Sequence, residues 1–231
     1  MNHAPPPGLW QRFVARVRET SWAVDANDGI IATAGLLQGF AGAGANDRLL
    51  LFAATAATIA GGLSAGGAKW AEVAVERESQ LRIAEEESAE LAARPDEELA
   101  ELAAYWESRG LTPELAQQVA VQLSEKDALA AQLDAEHGLE EIMPASAPFF
   151  GGLETAAAFM VGAGIPLLIT FFAPVAIETT AIIIAVVLSL VLTSLVAAGV
   201  GRLSGLRMLL RSLVVGLGTM AVSYAAGVIF F

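Results

Sequence analysis

The chain of 231 residues contains no cysteine. Disulfides, thiolate metal sites and cysteine nucleophiles are therefore excluded together. Histidine is almost as scarce. His3 and His137 are the only two, too few for a multi-histidine metal site and poor support for a Ser-His-Asp triad. The opening stretch MNHAPPPGLWQRFVARVRET lacks the early apolar core and the small-residue cleavage site of a secretory signal, so the first apolar segment is expected to be retained. Bases are also in deficit, 13 against 25 acids for a net charge of −12. A chain this acidic is a poor partner for nucleic acid and a good one for cations.

Apolar residues, by contrast, make up 55% of the chain, and the mean hydropathy is +0.57, beyond the usual range of a soluble domain. Five apolar runs reach the roughly 20 residues that a membrane-crossing helix needs. They cover residues 24–45, 49–68, 149–172, 179–200 and 206–231. Arg12, Arg16 and Arg18 precede the first run, and Arg202, Arg207 and Arg211 surround the turn between the last two. The turn between the third and fourth, FAPVAIETT, has no base. Positive charge marks the cytoplasmic side, which puts the N-terminus inside and, after five crossings, the C-terminus outside.

The charge is segregated. Residues 72–141 hold 19 of the 25 acids and five of the 13 bases, so this block stands at −14 and the remainder at +2. Its opening stretch, AEVAVERESQLRIAEEESAELAA, has neither Gly nor Pro and continues the second apolar run without a break. One helix from Leu49 to about Ala93 would be roughly 65 Å long. Pro95 ends it, DEELAELAAYWESRG forms the next helix up to Gly110, Thr112-Pro113-Glu114 opens a third, and DALAAQLDAEHGL is a fourth. The fold class expected is an all-α membrane protein with five transmembrane helices and a cytoplasmic helical insert between the second and third. The boundaries fall at 1–71, 72–145 and 146–231.

Within the insert, Glu87 and Glu90 are three residues apart, as are Glu98 and Glu101 on the next helix. Positions i and i+3 share a helix face. The short ARPD connection folds the helices back, so the pairs can converge, with Glu136 joining from the fourth helix. Such a cluster either binds a divalent cation through oxygen, which suits Mg²⁺, Mn²⁺ or Fe²⁺, or is an ordinary solvated acidic face. The first apolar run poses a parallel choice. In WAVDANDGIIATAGLLQGFAGAGA, Asp25, Asn27 and Asp28 are either helix caps or groups lining a pathway.

DANDGIIATAGLLQGFAGA, then IAGGLSAGG, then the Glu-rich insert, then GAGIPLL resemble, in that order, the vacuolar iron transporter family and its bacterial relatives. The likeness runs from about Ser21 to the end. It implies a homodimer in the bilayer, a bacterial cytoplasmic membrane here, that exports Fe²⁺ or Mn²⁺ from the cytosol by proton antiport. It also implies an insert that binds metal through glutamates, falling on Glu87, Glu90, Glu98, Glu101 and Glu136. The family's pathway carboxylate falls on Asp28, with Asp25 and Asn27 left as caps. No catalytic cofactor and no enzymatic activity are implied.

Several positions depart from the family pattern, among them Ala57, where some members carry a glutamate in the second span. A methionine of the insert falls on Gln132, a methionine of the second span on Ala65, and Lys69-Trp70 stands where many bacterial members have Glu-Tyr. Lys69 and Glu154 lie at similar depth and either pair or leave Lys69 to extend to the interface. The alternative to a transporter is a membrane-embedded metal sensor or structural homologue without transport activity.

Overall fold

A computed structural model describes residues 20–173, 175–201 and 205–230. Every regular element among them is helical: α1 (Thr20–Gly42), α2 (Asp47–Ala93), α3 (Pro95–Ser108), α4 (Pro113–His137), α5 (Ala147–Phe172), α6 (Val175–Gly201) and α7 (Gly205–Phe230). They fall into two compact units. One contains the described residues up to Lys69 and from Gly151 onward; the other is Trp70–Phe150.

Helix ends follow local chemistry. Gly44 takes a positive φ of 73° after α1, and Asn46 caps α2 by accepting the Leu49 N–H at 3.1 Å. Pro95 and Pro113 sit in the first turns of α3 and α4, where a missing N–H costs nothing. The segment from Thr112 to His137 holds the two expected helices, which meet at a kink within α4. The kink lies at Asp127 (φ −165°, ψ 94°), whose carboxylate caps the second half through the Ala130 N–H at 3.0 Å. One expectation is corrected. Asp25 and Asn27 are not caps: α1 is already helical at Thr20, which puts both inside it.

Among the described residues, three helices are long and apolar enough to cross a membrane: α2, α5 and the Leu209–Phe230 part of α7; Ile177–Leu192 in α6 is a shorter apolar stretch. In α2 the apolar part gives way at Lys69, Glu72 and Glu76, so the acidic half of that helix lies beyond it.

In the first unit α1 packs on α6 and α7. Ile30, Ala34 and Leu37 repeat at helical spacing and meet Ile182, Val186 and Leu190, with Leu50, Ala54 and Met220 completing the core. The outer faces remain apolar: Phe52, Val214 and Phe230 are more than two-thirds exposed. A soluble surface does not carry apolar area on this scale, whereas lipid accepts it. Glycine sets the helix spacing. A Cβ on Gly162 would fall on the Ala26 carbonyl, and one on Gly29 on the Phe159 carbonyl, so α1 and α5 touch backbone to backbone. In the second unit α3 packs on α4 through Leu102, Ala103 and Ala120, flanked by Leu99, Trp106 and Leu123. The chain after α4 is tied to the acidic half of α2. The Arg77 Nε–H donates to the Met143 carbonyl at 3.0 Å, and the Met143 N–H donates to Gln80 at 2.9 Å.

Gly162→Ala should lower stability in detergent by about 1–3 kcal/mol, because backbone cannot move aside for the new methyl. Gly164→Ala, whose Cβ meets nothing within 4 Å, should be neutral or gain about 0.5–1 kcal/mol from helix propensity. Thermal unfolding of both variants checks this; equal midpoints would mean the α1–α5 contact is not tight.

Candidate metal centre

The acidic half of α2, with α3 and the end of α4, carries the glutamates of the second unit. Glu87 is 4% exposed and Glu98 1%, values rare for carboxylates, whereas Glu101 and Glu136 are exposed. Ligand atoms of Glu98, Glu101 and Glu136 all lie within 4.8 Å of one another, and so do those of Glu87, Glu136 and His137. Glu136 belongs to both groups and joins them. Four of the five glutamates expected from the sequence are thus brought together. Glu90 belongs to neither group; its exposed carboxylate lies 3.5 Å from Arg94. Spacing by three puts two residues on one side of a helix, but here that side straddles the edge of the buried region, and Glu87 takes the inner position.

Hydrogen bonding accounts for only part of this buried charge. Gln132, 1% exposed, donates its amide N–H to the Glu98 backbone carbonyl at 2.6 Å and to the Glu98 carboxylate at 3.2 Å. The other amide atom, Oε1, is buried with no hydrogen-bond partner, and Glu87 Oε1 is in the same condition. Buried oxygens of this kind ordinarily find a donor or a cation. Burial, and then the charges of Glu136, Glu98 and Glu90, push the Glu87 carboxyl above the usual range, with His137 opposing. Glu136 is raised too, by loss of part of its hydration, by the Glu101 and Glu98 charges and by a hydrogen bond with Glu101. Oxygen donors in this number suit a divalent cation, whose charge would offset the repulsion.

His137 enters the site although the sequence reading counts it only as one of two histidines. The available signal is its adjacency to Glu136 at the end of a helix already carrying a ligand. Gln132, read from the sequence as an altered contact, holds Glu98.

In the first unit Asp28 is exposed on α1. Its neighbours tie α1 to other helices. Thr155 of α5 donates to Asp25 at 3.0 Å, and Ser189 of α6 donates to the buried Asn27 at 2.7 Å. These bonds explain why two polar residues persist one turn inside an apolar helix. Lys69 and Glu154 are both half-buried.

A sequence model of the VIT family matches residues 21–228. The chain is also similar to a protein of Acanthamoeba castellanii named vacuolar iron transporter, 35% identical over 149 residues. That alignment takes in 64% of this chain and 54% of the relative, so the chain matches about half of the relative's length.

The raised carboxyls give the metal-free protein a pH dependence of definite sign. Folding favours their protonated forms, so stability increases as pH falls from above the raised values toward the ordinary carboxylate range, and declines again as pH rises. Backbone hydrogen exchange around Glu87 and Glu136, corrected for intrinsic rates, should therefore slow on mild acidification, and Glu87→Gln should remove much of the trend. Faster exchange on mild acidification would contradict this account of the site.

Proposed function

The chain belongs to the VIT family, and from that premise we propose that it exports Fe²⁺ or Mn²⁺ from the cytosol, with proton antiport as the coupling. The observation that carries the reading is the pair of buried carboxylates, Glu87 and Glu98, beside Glu101 and Glu136, with Glu87 Oε1 lacking a hydrogen-bond partner. Residues 72–145 capture the metal at the cytoplasmic face, where like charges draw cations and repel one another until one binds. Residues 1–71 and 146–231 supply five crossings of a bacterial cytoplasmic membrane. Asp28 is the cation-handling group of the pathway: its carboxylate is exposed while its neighbours Asp25 and Asn27 are occupied by other helices. Two copies form the working unit, with Asp28 of each facing the shared axis. Glu90 serves as an outer carboxylate that raises the field at Glu87.

A second reading, a metal sensor without transport, draws on Ala65 and Lys69 in the second span, where a ligand is missing and a cation intrudes. Lys69 is compatible with transport if Glu154 neutralises it. Gly66 packs against Gly152 and Ala156, which supports a common depth for the two charges.

Metal flux into proteoliposomes, run with both ions, separates the readings. Wild type should move at least one ion. Asp28→Asn, which keeps the size and removes the charge, should abolish flux with unchanged dimer elution. Glu98→Ala with Glu101→Ala should weaken metal binding. No flux in wild type with intact binding favours the sensor; normal flux in Asp28→Asn removes that residue from the pathway. For the charge pair, Lys69→Met and Glu154→Gln should each cost stability and the double change should recover much of it, because breaking one partner strands the other. Coupling below about 0.5 kcal/mol in this cycle would mean that the two do not interact.

A further inference from the structure

The Glu87 end of the acidic site differs in chemistry from the Glu98 end, and the difference is His137. We propose that His137 is a direct nitrogen ligand to the bound ion, making the Glu87–Glu136–His137 group a mixed nitrogen and oxygen subsite beside an all-oxygen one. The assignment rests on the reading of this unit as a metal site.

Spacing supports it first. His137 Nε2 lies 3.8 Å from Glu87 Oε2. A charge-assisted hydrogen bond between these groups would bring them to about 2.8 Å. Two donors bonded to one ion at about 2.1 Å each can stand up to about 4.2 Å apart. The observed separation is too long for a hydrogen bond; it is that of a loose ion pair when the imidazole is protonated, and it also accommodates two ligands of one ion when the imidazole is neutral. The second support is the vacant valence beside it: Glu87 is almost wholly buried, and its Oε1 has no hydrogen-bond partner.

The backbone that carries the imidazole is also held in position. Gly138 follows α4 in the left-handed conformation (φ 65°), and the Gly138 and Leu139 N–H groups bond back to the Asp134 and Leu133 carbonyls at 3.1 and 3.0 Å. This closure fixes the last turn of α4, which carries both Glu136 and His137. A histidine in a final turn can simply complement the helix dipole, but that role does not require a carboxylate from another helix at ligand distance.

A nitrogen donor alters selectivity. All-oxygen sites suit Mg²⁺, Ca²⁺ and Mn²⁺, whereas imidazole favours the later ions Fe²⁺, Co²⁺ and Zn²⁺. His137 therefore biases capture toward the later ions and against abundant Mg²⁺.

The test uses the full chain in detergent, loaded to saturation with Mn²⁺ and read by pulsed electron paramagnetic resonance. Coordinated imidazole nitrogen should modulate the Mn²⁺ echo in wild type. His137→Gln should still bind Mn²⁺, lose that modulation, and lose about tenfold of its preference for Co²⁺ over Mn²⁺ in competition. Bound Mn²⁺ without imidazole modulation in wild type, or modulation that survives in His137→Gln, overturns the assignment and leaves the glutamate site intact. Absence of Mn²⁺ binding in wild type overturns the metal-site reading and this inference with it.

Discussion

Glu87 and Glu98 give up nearly all contact with water while other carboxylates stand close by, and the arrangement of the second unit follows from that burden. Removing a carboxylate from water is costly unless hydrogen bonds or an opposite charge replace the hydration. Glu98 receives the Gln132 amide, whereas Glu87 has His137 at a distance and one oxygen with no hydrogen-bond partner. The unit therefore folds around an unresolved repulsion. A cation that binds only the folded form converts that repulsion into stability; at a hundred times its dissociation constant the gain is about 2.7 kcal/mol. On the proposed reading of this unit as a metal site, its metal affinity and its folding are thus two sides of one electrostatic imbalance.

The first unit is built on the opposite principle. Lipid offers no hydrophobic drive between helices, so contact comes from shape and from a few polar ties. Gly29 and Gly162 bring two backbones together, and Asp25 and Asn27 anchor the same end of α1 to α5 and α6. Asp28, one residue further on, is left exposed. The cluster DAND divides its labour by helical rotation: positions 25 and 27 turn toward neighbouring helices and position 28 turns away from them.

Period and punctuation made much of this readable in the sequence. Pro95, Pro113 and Gly138 set helix boundaries because each imposes a backbone constraint regardless of what packs around it. The start of a separate helix at Asp127 was legible too, and the kink there divides α4 at that residue. Asp25 and Asn27 misled, since a cap and an interhelical tie use the same residue types. In the site, Glu87, Glu98, Glu101 and Glu136 came from spacing, while the unequal burial of Glu87 and Glu90 was invisible because it depends on which side of α2 meets its neighbours. His137 escaped notice because a lone histidine has no spacing signature; only a partner from α2 gives it meaning.

The break at Asp127 has a consequence for how such a protein can change over generations. Beyond it, α4 is a capped segment of about three turns that bears Gln132, Glu136 and His137 and closes at Gly138. The buried residues of α4 on the other side of the break are Ala116 and Ala120; the segment itself buries Gln132 and Leu133 and lends Ala131 and Ala135 to the core around Leu102. Substitutions at the exposed Glu136 and His137 can therefore exchange a carboxylate or an imidazole without touching the buried contacts, Gln132 with Glu98 among them, that hold α3 and α4 together. On the proposed reading of this unit as a metal site, a lineage facing a different mixture of metals could retune it at these two exposed positions while leaving its membrane helices untouched.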